Sequence, residues 1–110
     1  MSARVRILVW HRAPGDGAEI EALYHAVSAR LAGVPGLLGS ELLRSAADPD
    51  RYVVMSEWVS LAAFEAWDVT PQHAVTEPLR RYRDVNERGA AYEIYEVSAA
   101  CPRAATYRRQ

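Results

Sequence analysis

Two histidines and two tryptophans are the residues of this chain whose chemistry and positions suggest a reactive site. His11 ends the apolar run "RVRILVWH", and His73 follows a proline in "TPQHAV". An imidazole titrates near neutral pH, so a small change in its surroundings makes it a usable general base. Trp58 and Trp67 can wall a dry pocket or fill a core, and the sequence leaves both interpretations open.

The two candidate bases are predicted to lie in different environments. Strand alternation places His11 on the same side as Val9, where an imidazole is either a hydrogen-bonded core residue or a proton acceptor. His73 falls in the first turn of a predicted helix, whose partial positive charge keeps the ring neutral. Either histidine can serve as the base. His25 lies off the apolar stripe of its helix and is expected to be exposed.

The sequence contains no motif for a nucleotide, a metal ion or a serine nucleophile. GxGxxG, Walker, CxxC, HExxH and GxSxG patterns are all absent, and three scattered histidines do not form a metal site. We therefore expect no metal, flavin or haem cofactor. The single cysteine, Cys101, cannot form an internal disulfide, which fits a reducing cytoplasm.

Length and charge exclude further classes of protein. The chain has 110 residues, enough for one domain, and a formal net charge of −1. Binding to the phosphates of a nucleic acid requires clustered basic residues, so a nucleic acid is not the expected partner. No stretch approaches the ~20 apolar residues of a membrane span. We expect a cytoplasmic protein with one domain over residues 1–97 and a C-terminal tail over 98–110, with neither nucleic acid nor a membrane as partner.

Hydrophobic periodicity predicts four strands and two helical regions. Their order is typical of a ferredoxin-like α+β fold with a four-stranded antiparallel sheet. The predicted bounds are a strand at 4–10, a helix from Asp16 to about Gly33, strands at 37–45 and 51–59 around the turn "AADPD", helices at 61–68 and 71–84, and a strand at 91–97.

Capping residues refine the predicted helix starts. Asp16 and Glu19 have the spacing of a capping box at the start of the first helix. Ser60 is a candidate N-cap for the second helical region. Thr70 and Pro71 are predicted to be an N-cap and a first-turn proline, which would break that region in two.

The first strand is apolar on both faces. If Val9 and His11 face the helices, Leu8 and Trp10 lie on the opposite face of the sheet. An apolar face of this kind requires a cover, and a homodimer with its sheets face to face supplies one.

The order of elements, together with "PGLLGSELLRSAADPDRYVVMSEWVSLAAFEAW" over residues 35–67, resembles the antibiotic-biosynthesis monooxygenase family of small dimeric α+β barrels. The resemblance covers roughly residues 4–97. It implies either a cofactor-free oxygenase of aromatic polyketides or a haem-degrading enzyme. The haem-degrading branch has Asn, Trp and a haem-ligating His at positions that look like His11, Trp67 and Glu77 here. Glu77 replaces the ligand, so the resemblance does not favour haem.

These observations lead to the hypothesis of a cofactor-independent monooxygenase that uses O2 to convert an aromatic polyketide, a phenol or anthrone, to a quinone. His11 or His73 would be the base, and Trp67 would border the same cavity as His11. Two alternatives remain open: a polyketide cyclase on the same scaffold, and a non-catalytic dimeric protein that binds a small aromatic ligand or a partner enzyme. The predicted substrate-binding residues are Tyr24, Trp58, Phe64 and Leu79.

Overall fold

The computed structural model describes residues 3–101, apart from the side chains of Gln72 and His73. Residues 102–110, most of the predicted tail, lie outside the described residues. No helix in the described part is long and apolar enough to cross a membrane. The elements are β1 (Val5–Arg12), α1 (Ala18–Leu31), β2 (Leu37–Arg44), β3 (Arg51–Trp58), α2 (Leu61–Asp68), a 3₁₀ segment (Pro71–Tyr82) and β4 (Tyr92–Glu96).

The four strands form one antiparallel sheet in the order β2-β3-β1-β4. β1 is central, and Val9 lies opposite Val54 on β3 and Tyr92 on β4. This is the ferredoxin-like α+β arrangement that the order of elements predicts. Because paired residues share a face of the sheet, Val9 and His11 point to the same side as Val54 and Tyr52.

The core between sheet and helices divides into two clusters of buried residues. One cluster lies under α2 and contains Val5, Ile7, Val34, Trp58, Phe64 and Trp67. The other lies under α1 and contains Ala13, Ile20, Val27, Tyr52 and Leu79. The helix-facing side of the sheet is therefore covered by its own chain.

The start of α1 differs from the predicted capping box. The N-cap is Gly17, which has a left-handed conformation with φ of 80° and makes no side-chain capping hydrogen bond. Asp16 instead accepts a hydrogen bond from the N–H of Ala18 at 2.9 Å. Because the helix begins one residue later than predicted, Glu19 is too near its start to complete the box, and it contacts Arg81 and Tyr82.

A tight turn at Gly36 connects α1 to β2. Gly36 has a φ of 86°, and its carbonyl accepts a hydrogen bond from the N–H of Val59 at 2.8 Å. A Cβ at this position would press on the side chain of Ala63. The glycine of the Pro-Gly pair thus permits both the positive φ and the close approach of α2.

The two predicted caps around α2 have different outcomes. The Oγ of Ser60 accepts a hydrogen bond from the N–H of Ala63 at 3.1 Å, which confirms the N-cap. Thr70 is at the N-cap position of the following 3₁₀ segment and Pro71 is in its first turn, as predicted, but the Thr70 side chain makes no capping bond to that segment. Its N–H and its hydroxyl both donate to the carbonyl of Trp67, at 2.9 and 2.7 Å. Thr70 therefore closes the C-terminus of α2, which occupies a carbonyl that the helix end leaves without a partner.

The region predicted as a helix at 71–84 is a 3₁₀ helix over Pro71–Tyr82. Runs of this length are uncommon, because 3₁₀ hydrogen bonds have poorer geometry than those of an α-helix. Pro78 lies inside the segment, where it has no N–H and would clash with the carbonyl four residues earlier in an α-helix. Contacts of Arg81 and Tyr82 with Glu19 join the end of the segment to α1.

The face of the sheet away from the helices is less exposed than the sequence suggests. Trp10 retains only 8 % of its exposure within the single chain, so its burial does not require a second copy. The loop before β4 runs alongside this residue, since the carbonyl of Trp10 accepts from Asp84 and its N–H donates to Ala91. Leu43 on β2 stays 43 % exposed on this face. The homodimer stays a prediction that rests on the remaining apolar surface rather than on Trp10.

Candidate functional site

A cavity of about 260 Å³ lies between the sheet and the helices. It is larger than the ~150 Å³ engineered cavity that binds benzene in another protein. Six of the predicted site residues line it: His11, Tyr24, Trp58, Phe64, Trp67 and Leu79. The backbone of His73 lies in the 3₁₀ segment, and its side chain lies outside the described residues.

Three aromatic side chains form one wall of the cavity. The ring centroids of Trp58 and Trp67 are 5.4 Å apart, and Phe64 lies edge-on to Trp58 at 5.5 Å. All three are buried core residues that also line the cavity. The indole N–H of Trp58 donates to the Oγ of Ser56 at 3.0 Å, which satisfies its buried donor. The core and pocket interpretations of these tryptophans therefore both apply.

His11 is almost fully buried, with 1 % of its surface exposed, and it lines the cavity. Its Nδ1 lies 3.0 Å from the carbonyl oxygen of Val9. A carbonyl can only accept a hydrogen bond, so in the neutral ring Nδ1 carries the proton and Nε2 carries the lone pair. Nε2 has no hydrogen-bond partner among the described residues. This geometry leaves the basic nitrogen of the ring available to accept a proton.

The environment of His11 keeps its ring neutral. Its pKa is lowered from 6.5 to about 4, chiefly by burial and to a smaller extent by the charge of Arg83, while the hydrogen bond to Val9 opposes both. Removal from water disfavours the charged form, which is the usual consequence of burying a base. His11 is therefore unprotonated at neutral pH.

Arg83 is a cavity residue that sequence reasoning missed. Its backbone pairs with that of His11 in an isolated antiparallel bridge, and the residue lines the cavity. Partial desolvation, with a smaller contribution from the charge of Arg80, lowers the pKa of its guanidinium below the ordinary value. In the sequence Arg83 is one of three arginines in "RRYR", and nothing in that pattern separates it from Arg80 or Arg81.

Two serines on the helix-facing side of the sheet also line the cavity. Ser40 and Ser56 lie opposite each other on β2 and β3. The hydroxyl of Ser40 is 2.7 Å from that of Tyr24 on α1. A sequence signal for them existed, because a small polar residue at an inward-facing strand position leaves space that an apolar side chain would fill.

The sequence model of the family described as antibiotic biosynthesis monooxygenase matches residues 4–77, which include β1, both α-helices and most of the 3₁₀ segment. The chain belongs to this family. The match includes every predicted site residue except Leu79.

Two curated relatives come from streptomycetes. Protein SchA of Streptomyces halstedii is 34 % identical over 82 residues, which are 73 % of this chain and 22 % of the relative. The 42.8 kDa protein in the whiE locus of Streptomyces coelicolor is 39 % identical over 67 residues, which are 58 % of this chain and 17 % of the relative. The chain thus spans about a fifth of the length of these relatives.

Solved structures of similar proteins share the fold over nearly the whole chain. SnoaB, a cofactor-independent oxygenase from Streptomyces nogalater, superposes with a TM-score of 0.74 at 20 % identity, covering 93 % of this chain and all of that one. A heme-degrading protein from Mycobacterium tuberculosis gives 0.70 at 26 % identity, covering 93 % and 99 %. The family fold therefore accommodates at least two described activities.

The haem ligand of that branch is replaced by a different residue in this chain. Glu77, where the resemblance places the haem ligand, is exposed and forms an ion pair with Arg80 at 3.0 Å. Within residues 3–101 no group of three or more potential metal ligands occurs. Glu77 therefore does not supply the histidine ligand that the resemblance implies at this position.

Proposed function

We propose that the protein is a cofactor-independent monooxygenase that converts an aromatic polyketide, a phenol or an anthrone, to a quinone. The observation that carries the proposal is the buried Nε2 of His11, a proton acceptor with no hydrogen-bond partner among the described residues, beside an aromatic-walled cavity. Family membership supports it, as does the shared fold with SnoaB, which is described as a cofactor-independent oxygenase.

The reaction balances without any reductant other than the substrate. In an anthrone, Nε2 of His11 takes a proton from the ring CH2 group, and the resulting carbanion gives one electron to O2. The radical and superoxide then combine through a new C–O bond, and His11 returns its proton to the outer peroxide oxygen. Loss of the remaining C–H proton and cleavage of the O–O bond yield the quinone carbonyl and water. One oxygen atom enters the product and the other leaves as water.

The remaining side chains hold the substrate and exclude water. Trp58, Phe64 and Trp67 present flat apolar surfaces to an aromatic ring system. Tyr24 and Leu79 line the same cavity and would also contact the substrate. A dry cavity keeps water from quenching the carbanion and strengthens every charge interaction inside it. His73 is the second candidate base.

Incubation of the purified protein with an anthrone tests the proposal. The substrate is supplied under air, under nitrogen and under 18O2, with a reaction without protein as control for spontaneous oxidation. We expect oxygen-dependent formation of the quinone, with one labelled atom in the product. The variant His11→Asn should lose ~10²–10⁴ in rate, the contribution of a general base.

Other outcomes would support the alternatives. Oxygen-independent ring closure of a poly-β-ketone surrogate would indicate a cyclase. Tight binding of aromatic compounds without turnover of either substrate would indicate a non-catalytic binding protein. A rate under air no greater than in the reaction without protein would contradict the oxygenase proposal for anthrones.

A further inference from the structure

An arginine lines the aromatic cavity without an ion pair to any described residue. Arg83 forms no ion pair with any described residue, whereas its neighbours Arg80 and Arg81 pair with Glu77 and Glu19. The charge of Glu77 acts on Arg83 less than that of Arg80 does, and Glu77 is itself paired with Arg80. Asp68 lines the same cavity but is not among the charges that act on Arg83. A guanidinium presents up to five N–H donors in a planar fork that matches an anionic oxygen group.

The backbone fixes where this cation lies relative to the candidate base. The bridge between Arg83 and His11 connects the end of the 3₁₀ segment to the central strand. Both residues line the same cavity, and the charge of Arg83 contributes to lowering the pKa of His11. His11 is buried whereas Arg83 is exposed, so Arg83 lies where the cavity meets solvent.

We propose that Arg83 binds an anionic oxygen of the ligand, so that the cavity selects fused aromatic compounds that carry an ionised phenol, an enol or a carboxylate. An imidazolium at His11 beside Arg83 would place two cations together at the edge of an apolar cavity. An anionic oxygen between them offsets this repulsion and stabilises the proton transfer to Nε2. The inference deepens the proposed function, but its binding step is independent of turnover.

Matched small aromatic probes test the proposal under nitrogen, where binding is measured without oxidation. The probes are 2-naphthoate, its neutral counterpart 2-naphthamide, and 2-naphthol, whose ionised form has its own absorbance. Affinities are measured by calorimetry at neutral pH for the wild type, Arg83→Gln and Arg83→Lys. Arg80→Gln is the matched control, because it removes the charge of a neighbouring arginine that does not line the cavity.

We expect wild-type protein to bind naphthoate about tenfold more tightly than naphthamide, as for a hydrogen bond to a charged group reduced by solvent screening. Bound naphthol should ionise at lower pH than free naphthol if a phenol is recognised, and only naphthoate should respond if the anion is a carboxylate. Arg83→Gln should abolish both effects, while Arg80→Gln retains them and Arg83→Lys retains a part.

Equal affinity of the wild type for naphthoate and naphthamide would overturn the proposal, whatever the variants do. A preference that survives in Arg83→Gln would overturn it as well. If Arg83→Gln does not fold, the wild-type preference for naphthoate and its loss at high salt decide the matter, because salt should weaken the binding of the anionic probe only. Anion preference without quinone formation would retain this inference and reject the oxygenase.

Discussion

The imidazole of His11 is held by the carbonyl of Val9, two residues earlier on the same side of β1. The distance from Nδ1 to that oxygen is 3.0 Å, and it determines which nitrogen carries the proton. The strand therefore orients its own candidate base, and no carboxylate within the described part of the chain is hydrogen-bonded to the ring. A base positioned by backbone remains neutral, since no adjacent anion stabilises the imidazolium.

The variant His11→Asn removes the basic nitrogen but keeps a hydrogen-bond donor to the strand. The Asn amide can donate to the carbonyl of Val9 as Nδ1 does, but it has no atom that accepts a proton with useful basicity. We expect turnover to fall by ~10²–10⁴ while the thermal midpoint changes by only a few degrees. Steady-state quinone formation and thermal unfolding measure the two effects. Full turnover of this variant would transfer the base assignment to His73, which His73→Asn would then test.

The lowered pKa of His11 makes stability depend on pH in a defined window. The pKa is 6.5 for an ordinary His and about 4 in the folded chain. Between these values the unfolded chain binds a proton that the folded chain does not, so stability falls as pH falls. Above the window the full stability is present, and the loss reaches about 3 kcal/mol at its lower end.

Urea unfolding of the wild type and His11→Asn across that window measures the effect. The difference between the two cancels the other titrating groups. We expect wild-type stability to decline relative to the variant as the pH falls from the ordinary His pKa toward the lowered one. Parallel profiles would show that His11 titrates normally in the folded protein.

The sequence predicted the order of elements and six of the residues that line the cavity, because alternation along β1 and the helical stripe are local patterns. It did not predict Arg83, whose position depends on a bridge between residues far apart in the chain. The 3₁₀ geometry of Pro71–Tyr82 was also missed, since its apolar spacing resembles that of an α-helix. Trp10 was expected on an exposed face, but the backbone of the loop before β4 pairs beside it. Local periodicity does not determine such nonlocal contacts.

A charge on the outer face of the sheet should weaken the predicted homodimer. Leu43 is exposed and lies opposite Val53 on this face. In a two-fold interface, Leu43→Glu would bury two unpaired carboxylates. We expect sedimentation of the wild type as a dimer at micromolar concentration and dissociation of the variant. Val69→Glu, an equal change at an exposed residue following α2, is the control. A wild-type monomer at that concentration would contradict the prediction.

Trp67 and Trp10 allow the pocket role of a tryptophan to be separated from its packing role. Both are buried, but Trp67 lines the cavity, whereas Trp10 alternates with His11 and faces the other side of the sheet. Truncation of either to Ala should cost ~3–5 kcal/mol of stability. Only Trp67→Ala should also weaken the binding of 2-naphthamide, because it removes a flat surface of the cavity. Chemical unfolding and calorimetry measure the two quantities. Equal loss of affinity in both variants would mean that Trp67 acts through general packing of the core.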